Sequence, residues 1–93
     1  LGALPLGMRL ARAGGPRAVE SHFPDGTLES RTSLREGVRE GASTRYWQDG
    51  SVRAQGRYRD DLREGPWIWY REDGSIDHEL SGRFERGERV GPL

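Results

Sequence analysis

After residue 20 the chain alternates apolar and polar positions with a period of two, and Asp-Gly pairs interrupt the alternation at regular intervals. The pairs are Asp25-Gly26, Asp49-Gly50 and Asp73-Gly74, spaced by 24 residues both times. Two places after each glycine stands an aliphatic residue: Leu28, Val52 or Ile76. In an extended strand Val52, Ala54, Gly56 and Tyr58 share one face, and Arg53, Gln55 and Arg57 share the other. In the third unit Ile76, His78, Leu80, Gly82 and Phe84 follow the same rule, with the ring two residues later than in the second unit. Two extra residues preserve the alternation where one would invert it. A half-buried strand over 75–84 is therefore expected.

The runs before the turns also read as strands. Ala42 to Trp47 precedes Asp49-Gly50, and Pro66 to Arg71 precedes Asp73-Gly74. Tyr46 and Tyr70 are equivalent, and His22 takes their place in the first unit. Asp-Gly between such runs favours a tight hairpin, because glycine accepts positive φ without a Cβ clash and aspartate tolerates it. The expected hairpins are 42–48 with 51–58, 66–72 with 75–84, and a weaker 20–24 with 27–34. Pro24 beside the first turn cannot donate to a ladder. Polar connectors ending in Gly41, Gly65 and Gly91 read as sharp bends into the next unit. The expected fold is all-β: an elongated antiparallel meander of stacked β-hairpins over residues 20–93, with units of about 24 residues at about 20–41, 42–65 and 66–93. Residues 1–19 read as a flexible or weakly helical lead, with helical propensity from Met8 to Ala13 stopped by Gly14, Gly15 and Pro16.

Composition narrows the function classes. The 93 residues include no cysteine, so disulfide and thiolate chemistry are excluded. A chain of this size buries only about 60% of its unfolded surface, and the mean hydropathy of -0.89 is low. The regularly placed rings, three tryptophans, three tyrosines and two phenylalanines, nonetheless argue for an ordered second half. Fifteen basic residues, all arginine, balance fifteen acidic ones, so no net charge draws the chain towards nucleic acid or an anionic membrane. Leu1 to Leu10 is too short, and too broken by Gly2, Pro5 and Gly7, to span a membrane; it reads as the remnant of a tag or of a processed segment rather than as a convincing signal peptide. A cytoplasmic location is weakly favoured.

Candidate chemistry is sparse. His22 and His78 lack the clustered partners of a metal site, and their places in the pattern assign them to packing. Asp60-Asp61 and Glu72-Asp73 are local pairs near bends rather than carboxylates facing each other across a cleft. No nucleophile elbow or phosphate-cradling loop is present. No catalytic residue, cofactor or metal is expected. The aromatic stripe of Tyr46, Trp47, Trp67, Trp69 and Tyr70, flanked by Arg45 and Arg71, is either core and inter-unit packing or an exposed binding surface of the kind that Trp, Tyr and Arg dominate.

The run from Gly65 through Pro66, Trp67, Trp69, Tyr70, Asp73, Gly74 and Ile76 to Gly82, Phe84 and Gly91 resembles the MORN-type repeat, more narrowly its variant in bacterial YwqK-family antitoxin-like proteins. The second unit matches through Gly41, Tyr46, Trp47, Asp49, Gly50, Gly56, Tyr58 and Gly65. The first departs from the pattern, with Thr32 and Leu34 in place of the glycine-aromatic element and no tryptophan. The resemblance covers about residues 22–93 and implies curved sheets of stacked hairpins that serve as interaction or assembly modules. The expected function is a non-enzymatic protein–protein interaction module, of antitoxin or immunity type. The alternatives are a scaffold that self-associates through its sheet edges and, less favoured, a small acidic-site hydrolase. The expected partner is another protein or a second copy, not nucleic acid or membrane.

Overall fold

The computed structural model describes residues 15–93. The helical propensity at Met8 to Ala13 lies outside the described residues. Seven strands follow one another in a single antiparallel sheet whose spatial order is the sequence order. They are β1 (Pro16–His22), β2 (Leu28–Arg35), β3 (Val38–Tyr46), β4 (Val52–Arg59), β5 (Leu62–Trp69), β6 (Gly82–Glu85) and β7 (Glu88–Gly91). The principal extents are 55 × 35 × 13 Å. Packed sheets stand about 10 Å apart, so the short dimension is that of one layer with its twist. The meander is the expected architecture. β1 begins at Pro16, inside the stretch that the alternation pattern had set apart as a lead.

Two kinds of turn alternate between the ends of the sheet. At one end the Asp-Gly turn occurs three times with the same hydrogen bonds. The N–H of Gly26 donates to the Phe23 carbonyl, and that of Phe23 donates to the Thr27 carbonyl. Trp47, Gly50 and Ser51 repeat the arrangement, as do Arg71, Gly74 and Ser75. Each glycine has a φ near 90°, whereas Asp25, Asp49 and Asp73 stay at ordinary negative φ. This is a type I turn closed by a left-handed glycine, not the two-residue turn with positive φ at both positions. Aspartate contributes its side chain instead: Asp49 Oδ1 accepts from the Ser51 N–H at 2.9 Å and from its hydroxyl at 2.6 Å. Asp25 with Thr27 and Asp73 with Ser75 do the same. Pro24 occupies the first central position of its turn, where a fixed φ helps and no N–H is needed. It is therefore well placed, not a weakness.

At the other end the loops are two residues long, and both carry positive φ: Glu36-Gly37, Asp60-Asp61 and Arg86-Gly87. These turns come before the glycines that had been read as bends. Gly41 and Gly65, at φ 100° and 76°, lie inside β3 and β5. The register slips beside them, between Thr32 and Leu34 on β2 and between Gln55 and Arg57 on β4. They are bulge residues that increase local twist. Consecutive turns are tied through the strands that carry these bulges. Asp61 N–H donates to the Arg39 carbonyl, and Gly87 N–H donates to the Arg63 carbonyl. Glu40 accepts from the Asp60 N–H at 2.9 Å, and Glu64 accepts from that of Arg86 at 3.3 Å. The Arg-Glu pairs at 39–40 and 63–64 thus cap the turn of the next hairpin.

The third unit departs from the expected strand. Ile76 makes one bridge to Tyr70, and residues 78–80 turn away from the sheet. Asp77 Oδ1 accepts from the N–H groups of Glu79 and Leu80 at 3.0 and 3.1 Å, which gives the backbone a local alternative to the ladder. His78 and Leu80 are exposed as a result, and so is His22 at the end of β1. None of the three packs as the alternation implied. Ser81 restores the sheet, its buried hydroxyl accepting from the Trp69 N–H at 2.8 Å.

The core is small and one-sided. Ala54, Tyr58, Trp67 and Phe84 are the buried apolar side chains among the described residues. Trp67 lies on the backbone of β4: a Cβ at Gly56 would stand 2.2 Å from its ring. The indole N–H donates to the Arg57 carbonyl at 2.8 Å, beside the bulge. One hairpin earlier the equivalent places hold Thr32 and Ser43, whose hydroxyls hydrogen-bond at 2.9 Å.

Gly56→Ala should lower the unfolding free energy by about 3 kcal/mol through overpacking. Gly50→Ala, where only the φ is at fault, should cost about 1 kcal/mol. Urea denaturation of the two variants checks the difference. The hydroxyl of Ser51, then its backbone N–H, hold the Asp49 carboxyl below its ordinary value, and Asp25 and Asp73 are lowered in the same way by Thr27 and Ser75. A depressed folded value gives stability that is present above the unfolded pKa and is lost as pH falls through the folded one. Stability should therefore decline as the pH drops below the ordinary aspartate value of 3.8, and Asp49→Asn should flatten that decline, read from thermal melts in an acid series.

Candidate interaction surface

Register fixes which side chains share a face. Arg45 lies opposite Ala54, which lies opposite Trp69. Tyr58 lies opposite Arg63, and Trp67 lies opposite Gly82. Directly opposed residues in antiparallel strands project to the same side, so these residues form one surface, the ring face. The rings run continuously across it. Tyr58 meets Trp67 edge-on at 5.1 Å, Trp67 stacks on Trp69 at 5.4 Å, and Trp69 tilts against Phe84 at 5.8 Å.

Two arginines lie over these rings. The Arg39 guanidinium is 4.2 Å from the centre of Tyr58. That of Arg63 is 5.2 Å from Trp69, 5.5 Å from Trp67 and 5.8 Å from Phe84. Arg39 is anchored by Asp61: its Nε donates to Oδ1 at 2.9 Å, and its Nη2 donates to the Asp61 carbonyl at 2.9 Å. That contact holds the Asp61 carboxyl below its ordinary value and raises Arg39 further. Arg63 has no such anchor. Its Nε is buried without a hydrogen-bond partner.

The stripe expected from the sequence divides into separate places. Trp67, 1% exposed, is core and offers nothing to a ligand. Trp69 is half-buried on the ring face, packed against the core. Tyr70 belongs to the opposite side, where its hydroxyl accepts from the Gln55 amide at 3.3 Å. Tyr46 is half-buried at the end of β3. Trp47 sits in its turn under the Arg53 guanidinium at 4.6 Å, beside Phe23 and Glu72 in an open cleft of about 350 Å³. Arg71 is a turn residue, donating to the Ile76 carbonyl at 2.7 Å and to the Ser75 hydroxyl at 3.3 Å. Arg45 remains exposed and open to a ligand. The sequence reading did not single out Arg39 and Arg63, although their 24-residue spacing and shared Arg-Glu-Gly context were available to it.

Among the described residues no group of three or more His, Cys, Asp or Glu side chains is placed to hold a metal ion. No family model matches the chain, and searches of the curated proteins and of the solved structures find no match either.

Arg63→Met keeps the aliphatic stem and removes the charge above the rings. It should cost about 1 kcal/mol of stability, as for a partly desolvated cation–π contact, and should shift the tryptophan emission. Unchanged emission and stability would show that the stacking is incidental.

Proposed function

We propose that the chain is a non-enzymatic protein-interaction module whose ring face receives the partner. One observation carries this reading. The sheet is a single layer, and its ring face leaves Trp69 half-buried beside Arg63, with the exposed Arg45 in the same row across Ala54. Half-exposed tryptophan beside arginine is the composition of interface hot spots. The MORN-type reading in three units belongs to this proposal. It is supported by the recurrence of one turn with the same hydrogen bonds at 24-residue spacing, and by the bulged glycines 41 and 65. An antitoxin or immunity partner is the biological form that this resemblance suggests.

A second reading, self-association through the sheet edges, is favoured by β1. All of its residues are exposed, and among the described residues no strand pairs with its outer side. Unpaired edges invite strand addition.

A photo-crosslinking side chain in place of Arg45 should give one discrete adduct in cells, whereas the same group in place of Arg57 on the opposite face should not. The partner, identified by mass spectrometry and purified, should bind the wild-type chain and lose affinity for Trp69→Ala. Equal adducts from both faces would remove the ring face from consideration. An adduct with a second copy of the chain would favour self-association, which light scattering over a concentration series would then quantify.

A further inference from the structure

The chain is neutral overall, but the sheet distributes its charge unevenly between its faces. Arg17 lies opposite Leu34, which lies opposite Arg39. Arg89 lies opposite Phe84. With Arg45 and Arg63, five guanidinium groups therefore share the ring face. The strand carboxylates paired in regular register project the other way: Glu20 faces Arg31, Glu64 faces Arg57, and Glu85 faces Glu88. Three carboxylates approach the ring face. Asp61 is occupied by Arg39, and Glu29, at the far corner, is 3.4 Å from Ser21 Oγ. Asp77 lies opposite Trp69, and its Oδ1 is taken by the N–H groups of Glu79 and Leu80.

We propose that the ring face binds an acidic, extended segment of a partner protein, with Arg45 and Arg63 receiving its carboxylates and Trp69 contacting an apolar side chain between them. This rests on the interaction reading above and adds the chemistry of the partner. All the basic side chains are arginine, whose planar fork matches a carboxylate in two parallel hydrogen bonds. Arg63 is already held over the rings, so binding requires little further ordering of it. Arg45 is one side chain away along the row through Ala54, which is too small to separate it from Trp69.

A protein segment fits this surface better than a nucleic acid. Base stacking requires open ring faces, and Tyr58, Trp67 and Phe84 are buried at 8%, 1% and 7% exposure. Both ends of the sheet carry carboxylates on the turns, Asp25, Asp49 and Asp73 at one end and Glu36, Asp60 and Asp61 at the other. A phosphate backbone long enough to run past either end would meet like charge there. A short acidic segment would end before it.

The test uses a fluorescein-labelled peptide of about ten residues, long enough at about 3.3 Å per residue to cross the arginine field, with alternating Glu and a central Leu. The comparison probes are its all-Gln counterpart and an oligothymidylate of similar length. Anisotropy should show the Glu peptide binding best, with affinity falling as salt is raised. Arg45→Glu should weaken it about tenfold, a loss of about 1.4 kcal/mol, whereas Arg57→Glu on the opposite face should change it less than about twofold. Both positions are exposed, and circular dichroism verifies that both variants fold. Tighter binding of the oligonucleotide would overturn the proposal in favour of nucleic acid. So would equal binding of the Gln peptide, equal losses in the two variants, or no binding of the Glu peptide at millimolar concentration. If the Gln peptide binds equally and Trp69→Ala abolishes both, the acidic chemistry fails while the interaction face stands. If no probe binds and crosslinking from position 45 also yields nothing, both readings fail.

Discussion

The fold of the C-terminal half depends on the contact between Trp67 and the bare backbone at Gly56. A single-layer sheet has no opposing layer to bury its apolar side chains. It must bury them against itself, and the available surface is the neighbouring strand. A tryptophan laid flat on that strand removes a large apolar area from water, but only where no Cβ intervenes. The bulge beside Gly56 leaves the Arg57 carbonyl in reach of the indole N–H, so the polar atom of the ring is satisfied in the same place. Tyr58 and Trp69 pack directly on this ring, and Phe84 extends the row through Trp69. The N-terminal half lacks the contact. At the corresponding places a hydroxyl pair joins Thr32 to Ser43, and β1 beyond it is exposed at every residue.

Burial on this scale leaves the hairpins needing further connection, which polar groups supply. The two-residue turns demand positive φ, and at Asp60-Asp61 neither residue is glycine. Such a conformation costs about 1 kcal/mol or more per residue. The compensating contacts come from the preceding unit: Glu40 takes the Asp60 N–H, while Arg39 takes the Asp61 carboxylate and carbonyl. The same arginine covers Tyr58. Arg63 and Glu64 repeat this towards Phe84 and the Arg86 turn, but there glycine stands in place of Asp61, so the carboxylate is missing and Arg63 lacks its anchor. The loss of one carboxylate from the repeating pattern is what leaves Arg63, stacked on the rings, without the anchor that Arg39 has.

Much of this was legible in the sequence, within definite limits. The Asp-Gly turns are local, and their residues carry all the information needed to place them. The face shared by Ala54, Gly56 and Tyr58 follows from alternation, and the sheet keeps it. The bulges at Gly41 and Gly65 were misread as bends because a bulge is a property of two strands in register, not of one segment. The run from Ile76 to Gly82 was misread for another reason. Alternation permits a strand but does not compel one, and the Asp77 carboxylate offers the N–H groups of Glu79 and Leu80 a nearer partner than the ladder. The aromatic stripe was visible as composition. Its division into a buried Trp67, a half-exposed Trp69 and a separate Trp47 required the third dimension.

Net charge misled for a related reason. It sums over a surface that a single-layer sheet divides into two sides, each governed by the parity of its residues. A neutral globule with interspersed charges attracts little at a distance, whereas a thin sheet of the same composition can carry a cationic side. Here parity places five arginines with the rings and sends the regularly paired glutamates to the reverse. Two of those glutamates lie opposite arginines of their own side, Glu20 meeting Arg31 at 2.7 Å and Glu64 facing Arg57, whereas Glu85 faces Glu88. On the ring face Asp61 is taken by Arg39, and Asp77 by the N–H groups of Glu79 and Leu80. Cations whose neighbouring carboxylates are absent or otherwise engaged, beside a half-buried tryptophan, keep an unspent capacity for charge-assisted hydrogen bonds, and that capacity is available to whatever covers the face.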